Sequence, residues 1–458
     1  MIFELIPSVN EILLNSELCD SLDKFYLKKL IRNQIEEIKT KLSPNEIKKL
    51  KNKSDVTNFI IEKVNISVNK VLDTKTKHII NATGIILNTN LGRSRLPKEI
   101  LENIYKNFSN YLDLEQDILT SKRKNRVNNI IDLLKFITDC QSALVVNNAA
   151  AALMLTINTL SKNKNVIIAR SELIEIGGSF RLPDIIEASS GKLLEIGTTN
   201  KTKIKDYQKA AQKDNIGLIL KCHRSNFDIS GFVEDVTIDD LKSIKLKAPI
   251  VYDIGSGIFS DLLDENQKTY LEPFLINNKI INKSDITIFS GDKLLGACQC
   301  GIILGKKKHI DKLKENPIYR TLRLDKIHIL ILEEILLAYL NKSSLKHFPN
   351  IKNLTCNLNE TKKQIAEFSN NFNHKHLQLL LKDSKAYFGG GSISEKAIDS
   401  ISINLTSKIY SANQIDEYFR KYSPSIIGTI RKNIFYLNLI SVEKEELEII
   451  LNAIEKFE

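Results

Sequence analysis

The chain has 458 residues, of which 42% are hydrophobic and 26% charged, and its formal net charge is +11. No segment approaches the roughly 20 uncharged apolar residues that a membrane-spanning helix needs, and an N-terminus with an acid at Glu4 and no basic residue argues against a signal peptide. The six cysteines are scattered, without a CxxC pair, which argues against a disulfide scaffold and paired zinc ligands. We therefore expect a cytoplasmic protein that binds no metal and does not enter a membrane.

The pattern of apolar and polar residues changes twice along the chain. Since single hydrophobic cores stop growing at about 250–300 residues, we predict several domains: a helical one at 1–70, a core at 71–345 and a small α+β domain at 346–458. Residues 24–53 carry ten Lys or Arg against three acids, with apolar residues at helical spacing. Two interpretations stay open for this stretch, a solvated helix face or a contact for a phosphate backbone.

The middle of the chain alternates apolar runs of strand length with polar helical stretches. The runs are SALVVNN (142–148), NVIIAR (165–170), KLLEIG (192–197), IGLILKCH (216–223), PIVYDIG (249–255) and DITIFSG (285–291). Near-continuous apolar strands predict a mostly parallel sheet covered on both faces, so we expect a doubly wound α/β core. CGIILGK (300–306) is predicted as an edge strand, and 325–345 as one long helix. The last domain should contain a glycine run at 387–394 and the strands SISINL and IFYLNLI.

Three features predict a site for pyridoxal 5'-phosphate (PLP). Lys293 in FSGDKLLG follows an apolar strand, where a desolvated amine can attack an aldehyde. Asp253 ends another strand 40 residues earlier, where a carboxylate can hold the pyridine nitrogen protonated; its alternative role is a helix N-cap. Asn147, Asn148 and Ala149 join a strand to a helix whose N-terminus can bind a phosphate.

Other polar side chains are candidates for the same site. Ser290 can add a hydroxyl to the phosphate site, and His223 ends a strand, where it either contacts the cofactor or is a satisfied structural histidine. Arg93, Arg320 and Arg323 suit a phosphate-bearing donor, because arginine binds oxyanions bidentately; surface ion pairs are the alternative.

The sequence resembles the bacterial selenocysteine synthase family, the L-seryl-tRNA(Sec) selenium transferases. The stretches that carry the resemblance are INATGIILNTNLGRSRL (80–96), ALVVNNAAAALML (143–155), SELIEIGGSFRLPDI (171–185), YDIGSGIF (252–259), SGDKLLGACQCGIILGKKK (290–308), RTLRLDK (320–326), GGGSIS (389–394) and PSIIGTI (424–430). They cover essentially the whole chain in family order. Two places differ from the family pattern: Cys298 and Cys300 follow the lysine, and the basic loop 120–129 lacks the family's glycine and histidine.

The resemblance implies a fold type I PLP enzyme with Lys293 as the Schiff-base lysine and Asp292 as the acid beside it. It implies that Asp253 contacts the pyridinium and that the three arginines hold selenophosphate. The reaction would convert seryl-tRNA(Sec) through aminoacrylyl-tRNA to selenocysteinyl-tRNA(Sec). The assembly would be a homodecamer, a ring of dimers, with tRNA bound by residues 1–70. Two alternatives stay open: a PLP-dependent lyase or transferase acting on a small free amino acid, and a tRNA-binding protein without a cofactor.

Overall fold

The computed structural model describes residues 2–15, 21–41, 50–176, 180–224, 227, 229–244, 247–259, 261–355, 358–389 and 397–458. The chain divides into two compact units, Met1–His78 and Ile79–Glu458. Among the described helices, none combines the length and the apolar character that crossing a bilayer requires.

The first unit is helical, as the sequence predicts. Its described elements are a 3-10 turn at Ile2–Leu5 and α-helices at Val9–Leu13, Lys24–Lys41 and Lys53–Leu72. Val56, Ile60, Val64 and Val68 recur every four residues and are buried, so the last helix presents one apolar stripe to the small core. The sequence also predicts a polar break between helices at SPNE (43–46), and this segment lies outside the described residues.

The second unit contains all the described strands. They are β1 (Ile79–Asn81), β2 (Ser142–Val146), β3 (Asn165–Ala169), β4 (Glu175–Ile176), β5 (Phe180–Arg181), β6 (Lys192–Ile196), β7 (Ile216–Cys222), β8 (Ile250–Ser256), β9 (Ile258–Phe259), β10 (Leu275–Ile276), β11 (Ile286–Ser290), β12 (Gly301–Gly305), β13 (Gln378–Ala386), β14 (Ile398–Thr406), β15 (Ser425–Ile427), β16 (Thr429–Arg431) and β17 (Ile434–Asn438).

Its helices lie between and after these strands. The α-helices are Lys98–Phe108, Asn128–Thr138, Ala149–Ser161, Leu182–Ala188, Ile204–Ala211, Ile238–Ser243, Glu265–Leu271, Asn278–Ile281, Lys307–Glu315, Ile318–Thr321, Lys326–Ala338, Lys342–Leu345, Pro349–Thr355, Asn359–Asn371, Ala412–Lys421 and Lys444–Glu455. Short 3-10 turns lie at Thr89–Leu91, Arg170–Glu172 and Glu272–Phe274. The helix predicted at 325–345 is thus broken after Ala338.

The main sheet has the strand order β2-β12-β11-β8-β7-β3-β6. Every neighbouring pair is parallel except the two that involve β12, which runs antiparallel to both β11 and β2. Leu144 and Val146 pack into one core cluster and Ala143 and Val145 into another, so both faces of β2 are covered. The predicted α/β core with a mostly parallel sheet is confirmed.

The predicted position of one strand is wrong. The run at 300–306 was expected at a sheet edge, but β12 lies between β2 and β11. All five residues of β12 are buried, and an apolar strand can be buried at either position, so apolar content alone does not reveal that β12 lies in the interior of the sheet.

The C-terminal part forms a four-stranded antiparallel sheet in the order β13-β14-β17-β16. Ile401, Ile403 and Leu405 of β14 pack with Phe419 and Phe435 in a separate apolar cluster. The start of the unit also belongs here, because β1 pairs in parallel with β15. The predicted strands within 400–405 and 434–440 are confirmed; the predicted glycine run lies outside the described residues from 390 onward.

Candidate active site

Lys293 lies in a tight turn, residues 291–296, that follows β11; we call this turn the lysine loop. Its backbone is held from two sides. Asn350 Nδ2 donates to the Lys293 carbonyl at 2.9 Å, and the N–H of Leu294 donates to Ser256 Oγ at 3.3 Å. Burial lowers the pKa of the Lys293 amine, and the nearby charge of Arg93 lowers it further, against the opposing effect of Asp253. A buried amine of reduced basicity is suited to act as a nucleophile.

Asp253 lies near the end of β8, whose neighbour is β11, the strand that leads to Lys293. Burial raises the pKa of the Asp253 carboxyl to about 6, while the N–H of Gly255 and the charge of Lys293 act in the opposite direction. The Gly255 N–H donates to Asp253 Oδ1 at 2.9 Å, which orients the carboxyl. The alternative N-cap role does not hold, because the carboxyl accepts the N–H of Gly255 within β8 and the next described helix begins only at Glu265.

His223 follows the last residue of β7, directly beside Asp253. Its backbone N–H donates to the Asp253 carbonyl at 2.8 Å, and its ring meets Phe274 edge-on with 4.9 Å between centroids. Burial, followed by the charges of Arg224 and Lys221, lowers the pKa of the imidazole to about 4, so the ring is neutral near pH 7. Nδ1 is buried and has no hydrogen-bond partner within the described part of the chain.

Asp292 connects three of the predicted residues. Its Oδ1 accepts a hydrogen bond from Ser290 Oγ at 2.7 Å, and its Oδ2 pairs with Arg93 Nη1 at 2.7 Å. The backbone reinforces this contact, because the N–H of Ser94 donates to the Asp292 carbonyl at 3.3 Å. Arg93, Ser290 and Asp292 thus form one cluster beside the lysine, and the Ser290 hydroxyl is used as a donor within it.

The turn from β2 into the helix Ala149–Ser161 has the features of a phosphate site. Asn148 caps the helix, since its Oδ1 accepts from the N–H of Ala151 at 2.8 Å. This leaves the N–H groups of Ala149 and Ala150 without an acceptor among the described residues. A Cβ atom at Gly301 would lie 2.2 Å from the Asn148 carbonyl, so a glycine is required for β12 to approach this turn.

Arg320 and Arg323 line a cavity of about 340 Å³, which we call the arginine cavity. Its other lining residues are Glu115, Arg123, Lys124, Asn125, Arg126, Lys314, Glu315, Asn316, Pro317 and Tyr319. Glu115 pairs with Arg123 at 3.0 Å, with Arg323 at 3.5 Å and with Arg126. Arg323 Nε is buried without a hydrogen-bond partner in the described chain.

The arginine cavity adjoins the phosphate-site turn, because the N–H of Asn147 donates to the Leu322 carbonyl at 2.9 Å. Arg93 has a different acidic partner, Asp292, and so belongs to the lysine-loop cluster. The structure therefore places the predicted arginines in two groups, one at the lysine and one beside the helix N-terminus.

A family model described as L-seryl-tRNA selenium transferase matches residues 79–443. The chain belongs to the L-seryl-tRNA selenium transferase family. A curated L-seryl-tRNA(Sec) selenium transferase of Alkaliphilus oremlandii is 39% identical over 99% of this chain and 98% of its own length. One from Campylobacter lari is 38% identical over 91% and 92%, respectively.

A solved structure of D-glucosaminate-6-phosphate ammonia-lyase covers 84% of this chain and 96% of its own, with a TM-score of 0.58 and 16% identity. At that identity the likeness shows the fold alone, which is fold type I of the PLP-dependent enzymes. The predicted family and fold type are confirmed.

Several residues that build this site were not predicted from the sequence. Asn350 and Ser256 hold the lysine loop. Ser256 lies in the stretch 252–259 that carries the family resemblance but was given no role of its own, and Asn350 lies in the helix Pro349–Thr355, outside every such stretch. Glu115, which pairs with Arg123 and Arg126 of the basic loop 120–129, lies in no recognised motif. Cys298 and Cys300 are buried, and the Cys298 thiol donates to the His328 carbonyl at 3.4 Å.

Proposed function

We propose that this protein converts seryl-tRNA(Sec) to selenocysteinyl-tRNA(Sec), with PLP held at Lys293 and selenophosphate as the selenium donor. The observation that carries the proposal is a buried amine of lowered pKa next to a strand-end carboxyl, in a chain of the selenium transferase family.

The residues present fit PLP. Among the described residues, the N–H groups at the helix N-terminus at Ala149 have no acceptor and are available for a phosphate, and one buried nitrogen of the neutral His223 ring has no partner. Asp253 can face the pyridine nitrogen. The chemistry that bound PLP supplies is an electron sink for negative charge at the seryl α-carbon. Asn147, Asn148 and Ser290 would shape the phosphate end of this site.

The chain's own residues would then handle protons and anions. The Lys293 amine would take the proton from the seryl α-carbon, and its lowered pKa supports this role because more of the amine is neutral at pH 7. Asp292 holds Arg93 beside that amine. Arg320 and Arg323 would bind the phosphate group of the donor, with Arg323 Nε, which has no partner among the described residues, as one contact.

The tRNA would contact the helix Lys24–Lys41. Lys24, Lys28, Lys29 and Arg32 are exposed on it, and no ion pair among the described residues includes them. Phe25 and Tyr26 lie among these cations with 70% and 57% of their surfaces exposed. Exposed cations bind a phosphate backbone, and exposed rings can stack on unpaired bases. Residues 42–49 of the predicted basic stretch lie outside the described residues.

The assembly and location remain part of the proposal. We infer a homo-oligomer, the predicted ring of dimers, and activity in the cytoplasm, where charged tRNA is available. The domain limits of 1–70, 71–345 and 346–458 also remain predictions.

The decisive experiment is to reduce the purified protein with borohydride and to identify the modified lysine by mass spectrometry. We expect a pyridoxyl group on Lys293, and we expect Lys293→Arg to lose both the visible absorbance of the cofactor and turnover. Lys307→Arg is the matched control, because Lys307 is an exposed helix residue. Seryl-tRNA with selenophosphate is then compared with free serine; equal turnover of free serine would instead support the lyase alternative.

A further inference from the structure

A buried acidic side chain, Glu172, lies outside the cluster around Lys293 and has no role in the chemistry described so far. It is 1% exposed and ends the short turn that follows β3. One carboxylate oxygen pairs with Lys221 Nζ, and the other accepts the backbone N–H of Cys222 at 2.9 Å. Both oxygens therefore hold the two residues that come directly before His223.

The position of Glu172 is explained by a gap in the sheet. The pairing of β3 with β7 ends at Ile219, so the last residues of β7, up to Cys222, have no β3 residue opposite them. The N–H of Cys222 points into this gap, and an unpaired buried N–H would cost free energy. The Glu172 carboxylate takes the place of the missing strand, while β8 continues to hold the other side through Cys222 and Asp253.

The anchors continue on both sides of His223. Its own N–H is held by the Asp253 carbonyl at 2.8 Å. The next residue, Arg224, pairs with Asp235, with Nη1 to Oδ1 at 3.1 Å. The direction in which the His223 side chain leaves the backbone is thus set by charged contacts of the residues around it.

A buried ion pair is a poor means of stabilising a fold, because desolvation offsets most of the attraction. Burial in fact raises the pKa of Glu172, although Lys221 opposes this effect. A buried pair can instead fix one geometry, which is what a ring that must lie against a cofactor requires.

We propose that Glu172 is a positioning residue, whose carboxylate substitutes for a strand at the end of β7 and so orients the His223 ring at the cofactor site. This inference rests on the proposed PLP site. The contact to the Cys222 N–H, however, is tested without any cofactor.

The first test measures hydrogen exchange by mass spectrometry on peptides that cover 216–224 in the apoprotein. Glu172→Ala removes both the oxygen that accepts the Cys222 N–H and the charge that holds Lys221, and we expect faster exchange at the end of β7 than in the wild type. Glu195→Ala is the matched control, since Glu195 makes an exposed pair with Arg170 at 2.9 Å. Unchanged exchange at Cys222 in the Glu172 variant would overturn the anchor.

The second test asks whether the anchor acts through His223. PLP is titrated into apoprotein, and binding and visible circular dichroism are followed for Glu172→Gln, His223→Ala and the double variant. We expect Glu172→Gln to raise the Kd about tenfold and to change the dichroism, and the double variant to be no worse than His223→Ala. Full additivity of the two losses would mean that Glu172 does not act through His223 and would overturn the proposal.

If Glu172→Gln alone does not fold, the double variant Glu172→Gln/Lys221→Met takes its place, because it leaves no unpaired buried charge. The same loss of PLP affinity is expected, and wild-type affinity would overturn the proposal. If the wild type binds PLP but does not convert seryl-tRNA, the proposed function fails while these results still decide the role of Glu172. If the wild type binds no PLP, the site assignment fails, and the proposal falls with it even where exchange confirms the anchor.

Discussion

Replacing Asp253 with asparagine should stabilise the apoprotein while weakening its binding of PLP. The pKa of Asp253 rises from its ordinary 3.8 to about 6 in the folded chain, chiefly through burial. The folded state therefore binds this proton more tightly than the unfolded state, and the carboxylate destabilises the fold above pH 6. About two pKa units at 1.36 kcal/mol each give a penalty of about 3 kcal/mol at pH 8.

The sign of the effect determines its dependence on pH. The penalty is complete above pH 6, declines as the pH falls through the window between 6 and 3.8, and is about half as large at pH 5. Asparagine keeps an oxygen for the Gly255 N–H, so the variant should lose the charge and little else. PLP affinity should fall, because an amide cannot hold the pyridine nitrogen protonated.

Urea denaturation of the two apoproteins, at equal protein concentration and at pH 5 and pH 8, measures the difference. Asp214→Asn is the control, since that side chain is exposed. The free energy of unfolding of Asp253→Asn should exceed that of the wild type by about 3 kcal/mol at pH 8 and by about half of that at pH 5. A variant that is less stable than the wild type at pH 8, or a difference that does not change with pH, would refute this reasoning.

Three further substitutions test other parts of the structure. Gly301→Ala should cost about 1–3 kcal/mol of stability and weaken PLP binding, because its Cβ would lie 2.2 Å from the Asn148 carbonyl; urea denaturation and PLP titration check this. Asn350→Leu removes the donor to the Lys293 carbonyl and should lower the free energy of unfolding by about 1–3 kcal/mol, with unchanged stability contradicting the contact. Phe25→Ala should leave the unfolding midpoint unchanged, since the ring is 70% exposed, and should weaken tRNA binding in a filter-binding assay by about fivefold or more if the ring stacks on a base.

The predicted strands of the main sheet were confirmed because a parallel strand that is covered on both faces must be apolar at nearly every position. The runs beginning at Ser142, Asn165 and Ile286 are such strands, and each ends within about two residues of its predicted limit. The order of the strands was not predictable in the same way. The apolar content of β12 would be the same at an edge or in the interior of the sheet. Only its pairing with β2 and β11 shows that it lies in the interior.

The local pattern by itself predicts which residues carry the chemistry. A lysine after a strand, an aspartate at the end of the neighbouring strand and a strand–turn–helix with asparagine follow from short-range geometry, so Lys293, Asp253 and Asn148 are found without coordinates. Their partners could not be found in this way. Asn350 lies 57 residues from the lysine whose carbonyl it binds, and Glu115 lies 208 residues from Arg323.

Such contacts are decided only by tertiary structure, because they join segments that have no fixed spacing in the sequence. The buried pair of Glu172 and Lys221, 49 residues apart, is one case, and the separation of Arg93 from Arg323 into two clusters is another. The periodicity of apolar residues depends on which face of a single strand or helix is buried, and therefore predicts strands and helices. The charge that faces a given side chain depends on how several elements pack together, and packing alone set the environments of Lys293 and His223.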